Sequence, residues 1–134
     1  MKFNSLAKRA FLLISLCCLT TPATAECSKD EYEFQIDTLT RITTEQKDLS
    51  VSGQKALEKF AKSNSSEDEA KYCQITKRMN QLNRAYLSVD TALEKSCPFS
   101  YNSNKSWWEK YRDYYIKNGS RLQKNVDICT KRGF

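Results

Sequence analysis

Histidine is absent from this chain of 134 residues, glycine occurs three times and proline twice. Without imidazole there is no Ser/His/Asp or Cys/His catalytic group, no metal site built on histidine and no histidine pH switch. Any chemistry would rest on carboxylates, lysines, tyrosines or thiols. The scarcity of Gly and Pro argues against a turn-rich β sandwich, while abundant Glu, Lys, Gln, Leu and Ala favour long helices. The sequence carries no Gly-rich phosphate loop, CxxC redox pair, calcium loop or nucleophile elbow. Past residue 25 there is also no long apolar run, so no membrane span is expected. At this length one small domain is the ceiling.

What is present begins with a leader. Lys2, Lys8 and Arg9 stand in an acid-free start, an apolar run follows from Ala10 to Leu19, and Ala23-Thr24-Ala25 supplies a small-residue ending. This pattern predicts a secretory signal over residues 1–25, cleaved before Glu26. Its short basic start and Ala-x-Ala ending look bacterial, which favours the periplasm; a eukaryotic source would instead make the protein extracellular. Cys17 and Cys18 suggest a lipoprotein, but Leu16 stands where a lipobox would want Gly, Ala or Ser, so no lipid anchor is expected.

The remaining segment, residues 26–134, reads as a single helical domain. It keeps four cysteines, Cys27, Cys73, Cys97 and Cys129, an even number that in an exported chain predicts two disulfides. It also keeps 19 of the 22 basic residues against 16 acids, net +3. That balance makes nucleic acid a poor partner.

Ser-x-x-Glu occurs at Ser28 with Glu31, Ser66 with Glu69 and Ser106 with Glu109, each ahead of helix-forming sequence. In such a capping box the serine oxygen accepts from the third backbone N–H and the glutamate reaches back, satisfying two orphaned donors. After the second box, Tyr72, Ile75, Met79, Leu82, Tyr86, Val89 and Leu93 alternate spacings of three and four residues, which predicts an amphipathic helix over about Glu67 to Ser96, closed by Pro98. In the first segment Ser50-Val51-Ser52-Gly53 marks a possible break into two helices. The third runs from Trp107 to about Cys129, with Asn118-Gly119 expected to kink it. Loops are expected at Ser63 to Ser65 and Pro98 to Lys105. The fold class is therefore all-α, an antiparallel up-down-up bundle of three long helices.

The cysteines fit one pairing of that bundle. Residues equidistant from a turn lie at the same height, and Cys73 and Cys129 are equally far from residue 101, the centre of the second loop. Cys27 comes level with Cys97 at the opposite tip. The other pairings would join cysteines about 24 residues apart along the rods, roughly 36 Å and far beyond disulfide reach.

Both tryptophans and three tyrosines fall within Ser106–Tyr115. On a helical wheel Trp108, Tyr115, Tyr111, Trp107 and Tyr114 span an arc of about 120°, too wide to bury wholly against two neighbours. Burial explains Trp108, Tyr111 and Tyr115, and Trp107 and Tyr114 would then cover the loop residues Phe99 and Tyr101. The functional alternative makes Trp107 and Tyr114 partner anchors, because Trp, Tyr and Arg are enriched where binding energy concentrates. On the same helix Lys110, Lys117, Arg121, Lys124 and Lys131 fall opposite the aromatic face, as the charged outer face of any solvated helix does, and the binding alternative takes Lys110, Lys117 and Arg121 as the flank next to Trp107 and Tyr114. Charge is divided along the chain: Glu26 to Ala70 holds 11 acids and 6 bases, and Lys105 to Phe134 holds 3 acids and 8 bases. The asymmetry either steers an acidic partner to the third helix or favours its packing beside the first.

Glu67, Asp68 and Glu69 are the nearest thing to an acid pair for hydrolysis, but acids at a helix start also complement the macrodipole, and that explanation is preferred. Asn64, Asn104 and Asn118 begin N-x-S sequons, glycan sites only in a eukaryotic source. Two short resemblances stand beside these readings. Ile42-Thr43-Thr44-Glu45-Gln46 resembles the LTxxQ signature of periplasmic stress chaperones of the Spy and CpxP kind, with Ile for Leu. Leu82-Asn83-x-x-Tyr86 followed by Trp108-x-x-x-Arg112-Asp113 is similar to part of the pattern of periplasmic lysozyme inhibitors of the LprI type. Neither full pattern is present and no functional residue is carried over from them.

The expectation is an exported, non-enzymatic helical protein without a cofactor or metal, which binds another exported or envelope protein through Trp107, Lys110, Tyr114, Lys117 and Arg121 as an inhibitor or immunity-like factor. A chaperone or envelope scaffold is the alternative, and a carboxylate hydrolase stands third. The stripe on the second helix is compatible with a monomer or a dimer.

Overall fold

A computed structural model describes residues 25–134. The expected leader, with Cys17 and Cys18, lies outside the described residues apart from Ala25.

The domain is an all-α, up-down-up bundle. Helix α1 spans Lys29–Ser63, α2 Ser66–Ser96 and α4 Lys105–Lys131, while the short α3, Pro98–Ser103, turns the corner between the last two. No strand is present among the described residues, and none of their helices is long and apolar enough to cross a membrane. Helix α1 packs along one side of α2 and α4 along another; α1 and α4 make no backbone approach to each other.

Local chemistry fixes the ends. Ser28 Oγ accepts from the Glu31 N–H at 3.2 Å, the first expected cap. The second is displaced by one residue: Ser65, not Ser66, caps α2 and accepts from the Asp68 N–H. The third does not form, because α4 begins at Lys105 and Ser106 already lies inside it; the Asn104 carbonyl receives the Trp107 and Trp108 N–H groups instead. Pro98 starts α3 at a position where its missing N–H costs nothing, so the expected loop is a helical turn. The carboxylate of Glu26 accepts from the Phe99 and Ser100 N–H groups at 2.7 and 3.1 Å, tying the start of the domain to this corner.

Neither glycine breaks its helix. Gly53 is buried where α1 meets α2, and a β-carbon there would lie 3.2 Å from Ile75 Cγ2. At Gly119 it would lie 2.7 Å from Asn83 Nδ2, which donates to the Tyr115 carbonyl at 2.9 Å. Both glycines admit a neighbouring helix, which offsets their poor helix propensity of about 1 kcal/mol.

Helix α2 is central and carries two stripes. One is the apolar series read from the sequence, with Leu82, Tyr86 and Leu93 buried. Complete burial of a side chain such as Leu93 contributes about 1.5–3 kcal/mol. The other, Cys73, Thr76, Asn80, Asn83, Asp90 and Cys97, is mostly polar and equally buried. Asn80 donates to Gln123 and Asn83 to Tyr115, while Arg112 reaches both Asp90 and Glu94, so the α2–α4 contact is a ladder of side-chain hydrogen bonds. Disulfides Cys27–Cys97 and Cys73–Cys129, with Cα separations of 4.8 and 5.6 Å, staple opposite ends as the turn geometry requires. Two such bridges fit an oxidising, exported environment.

Candidate functional site

The aromatic segment of α4 divides into two layers. Inside, Tyr115 stacks on Tyr86 with centroids 3.6 Å apart and Trp108 stacks on Tyr101 at 5.6 Å. Outside, Trp107 meets Trp108 edge-on at 4.5 Å and leans on Tyr111 at 4.3 Å, while Tyr114 meets Tyr115 edge-on at 5.3 Å. Trp107 is 47% exposed, Tyr111 38% and Tyr114 60%. The expected burial therefore holds for Trp108 and Tyr115 but not for Tyr111. Trp107 and Tyr114 do not shield the corner, since Tyr101 is covered by Trp108 and Phe99 remains exposed.

Because α1 and α4 stand apart on α2, a groove runs between them. Its upper half, about 370 Å³, is walled by Ile36, Leu39, Thr40 and Thr43 of α1 and by Trp107, Trp108 and Tyr111 of α4, with Tyr86 below. Its lower half, about 350 Å³, is walled by Thr43, Gln46, Lys47, Ser50 and Val51 and by Tyr114, Tyr115, Asn118 and Arg121, with Met79 below. Thr43 belongs to both halves, which makes them one continuous trough. No carboxylate lines it.

This geometry brings together three of the five expected binding residues: Trp107, Tyr114 and Arg121 line the groove. Lys110 shares a recess of about 210 Å³ with Tyr111 and Tyr114 on the outer edge of α4. Lys117 is exposed and lines none of these recesses. The sequence reading missed the α1 wall, because Ile36 and Leu39 look like core in an apolar stripe and Thr40, Thr43 and Lys47 look like ordinary surface between them. It also missed Trp108 as a wall: its ring is buried, yet its Nε1–H has no acceptor among the described residues.

Several charges elsewhere are committed. Asp68 receives Ser63 and Ser65 hydroxyls and Lys59 at 2.8 Å, and Lys59 first, then Ser63, hold its carboxyl down at about 2. Glu69 pairs with Arg132 at 2.6 Å, so these two members of the acid cluster serve the α1–α2 turn and the end of α4. Asp90, fully buried, pairs with Arg112 at 2.5 Å. Burial pushes its carboxyl up, and Arg112 pulls it only part of the way back. Burial also raises the phenols of Tyr101 and Tyr115 to about 12. Glu26, Cys27 and Cys97 converge at the upper tip, but both sulfurs are in the disulfide and the carboxylate caps α3. Lys47, Lys110, Lys117 and Arg121 make no ion pair among the described residues, in common with other surface cations such as Lys55, Lys71, Lys77 and Lys124.

The residues of the two short resemblances serve the packing of the bundle and, at Thr43, Gln46, Tyr86 and Trp108, also line the groove. Ile42 and Gln46 are buried on α1, and Leu82, Asn83, Tyr86, Trp108 and Arg112 build the contacts of α2 with its neighbours. No family model, curated protein or solved structure matches the chain.

Proposed function

We propose that this is an exported, non-enzymatic binding protein, inhibitor-like or immunity-like, which engages one protein partner through the aromatic–cationic groove between α1 and α4, in the periplasm if the source is bacterial. The carrying observation is the outer layer of Trp107, Tyr111 and Tyr114, large side chains left half-exposed beside unpaired cations on a scaffold stapled at both tips. Residues of these types dominate binding energy when buried at an interface. A frame already fixed before contact lowers the ordering cost of association. The commitment of Asp68 and Glu69 to structural contacts, and the lack of a carboxylate in the groove, weigh against the hydrolase reading.

One observation favours the chaperone or scaffold alternative: Phe34, Leu57, Phe99, Ile116 and Ile128 are exposed and line neither half of the groove. Affinity capture from envelope extract separates the two. The binding-protein reading expects one stoichiometric partner, whose affinity falls at least tenfold, about 1.4 kcal/mol, in Trp107→Ala and Tyr114→Ala. Many weak clients, indifferent to both substitutions, would support the alternative.

A further inference from the structure

The walls of the groove differ at its two ends, and the difference selects a ligand. At the upper end Ile36, Leu39, Trp107 and Tyr111 offer apolar surface. At the lower end α1 contributes Lys47 and α4 contributes Arg121, one cation from each wall. Asn118 Oδ1 accepts from the Arg121 guanidinium at 2.9 Å, which orients it without neutralising it. A carboxylate arriving between two such cations makes charge-assisted hydrogen bonds, roughly twice as strong as neutral ones.

Between the ends the lining is polar in a particular sense. Thr40 Oγ1 and Thr43 Oγ1 each donate their only proton to a carbonyl of their own helix, at 2.9 Å in both cases. What they present outward is acceptor capacity. Free acceptors along the trough match a backbone whose N–H groups are unspent. An extended segment has them free; a helix has already paired them internally.

We propose that the groove takes an extended acidic segment of the partner protein, with an apolar side chain seated against Trp107 and Tyr111 and a carboxylate held between Lys47 and Arg121. Eleven residues separate Ile36 from Lys47 on α1, a rise of roughly 16 Å. At about 3.3 Å per extended residue, the anchor and the acid stand about five residues apart. This inference rests on the partner-binding reading above and specifies what enters the site.

The test uses defined probes and fluorescence anisotropy on the purified protein. A labelled peptide with a phenylalanine and, five positions on, two aspartates in a serine spacer is compared with versions lacking the phenylalanine, lacking the aspartates, or carrying lysines for the aspartates, and with polyglutamate. The complete peptide is expected to bind at least tenfold more tightly than any of these. Trp107→Ala is expected to weaken it about tenfold, and the double variant Lys47→Glu/Arg121→Glu to abolish its binding while gaining the lysine peptide. Both changed cations are exposed, so circular dichroism should be unchanged. Polyglutamate binding as tightly as the complete peptide, or no effect of reversing Lys47 and Arg121, overturns the proposal. If these peptides fail while a captured partner still depends on Trp107, the binding-protein reading survives and the extended acidic segment does not.

Discussion

Asp90 has no solvent-accessible surface, and Arg112, itself three-quarters buried, is its single cationic partner. Breaking such a pair from one side leaves an uncompensated buried charge, which costs about 3–5 kcal/mol, whereas replacing both partners by apolar groups is often nearly neutral. Arg112→Leu should therefore lower the urea unfolding free energy by about 3 kcal/mol, and adding Asp90→Leu should recover most of that loss; a double variant no more stable than the single one would show that the pair's geometry, not its charge balance, matters. The two helical glycines make a contrasting pair of predictions. At Gly119 the obstructing atom is Asn83 Nδ2, buried and already bonded, so Gly119→Ala should destabilise by about 1–3 kcal/mol despite better helix propensity. At Gly53 the obstacle is a half-buried isoleucine methyl that can yield, and Gly53→Ala should leave stability within about 0.5 kcal/mol of the parent in the same assay.

At the scale of the element, the turn from α1 into α2 is held by Asp68 more than by the serine expected to cap it. Its carboxyl sits at about 2 instead of the ordinary 3.8, so the folded state binds the proton less readily than the unfolded chain. The resulting stability is present above about pH 4 and is lost as the pH falls towards 2. Asp68→Asn should be less stable than the parent at pH 5 and converge with it in that acid range, as read from urea midpoints; a constant gap would contradict the assignment. The helices themselves were legible in the sequence because apolar residues repeat at helical spacing, and the disulfide pairing because cysteine heights follow from turn positions. The cap moved from Ser66 to Ser65 because two adjacent serines are both competent, and the Asp68 carboxylate accepts the Ser63 and Ser65 hydroxyls while the Ser65 N–H turns to Ser63 Oγ. Helix α1 runs unbroken through Gly53, where the glycine's second use, admitting another helix, depends on a partner far away in sequence. The buried polar stripe of α2 was present in the spacing of Cys73, Thr76, Asn80, Asn83, Asp90 and Cys97, but hydrophobicity is blind to a stripe satisfied by distant partners such as Gln123, the Tyr115 carbonyl, Arg112, Cys27 and Cys129.

At the scale of the whole molecule, the order of packing produces the candidate site. A central α2 flanked by α1 and α4 leaves those two apart, and the aromatic arc too wide for the core becomes the wall of the trough between them. The sequence disclosed the aromatic and basic residues of α4 but not the opposing wall, since which flank of α1 faces α4 is decided by how both seat on α2. The disulfides resist splaying at the tips, each closing a separation of 70 or 56 residues and contributing roughly 4 kcal/mol in the chain-entropy view. The central claim, that function resides in this trough, is tested most directly by filling its middle. Thr43 is half-buried and common to both halves. For Thr43→Trp the affinity for the partner captured from envelope extract should fall at least tenfold, with unfolding free energy within about 1 kcal/mol of the parent. A Thr43→Trp protein of parental stability that keeps its full affinity would contradict it.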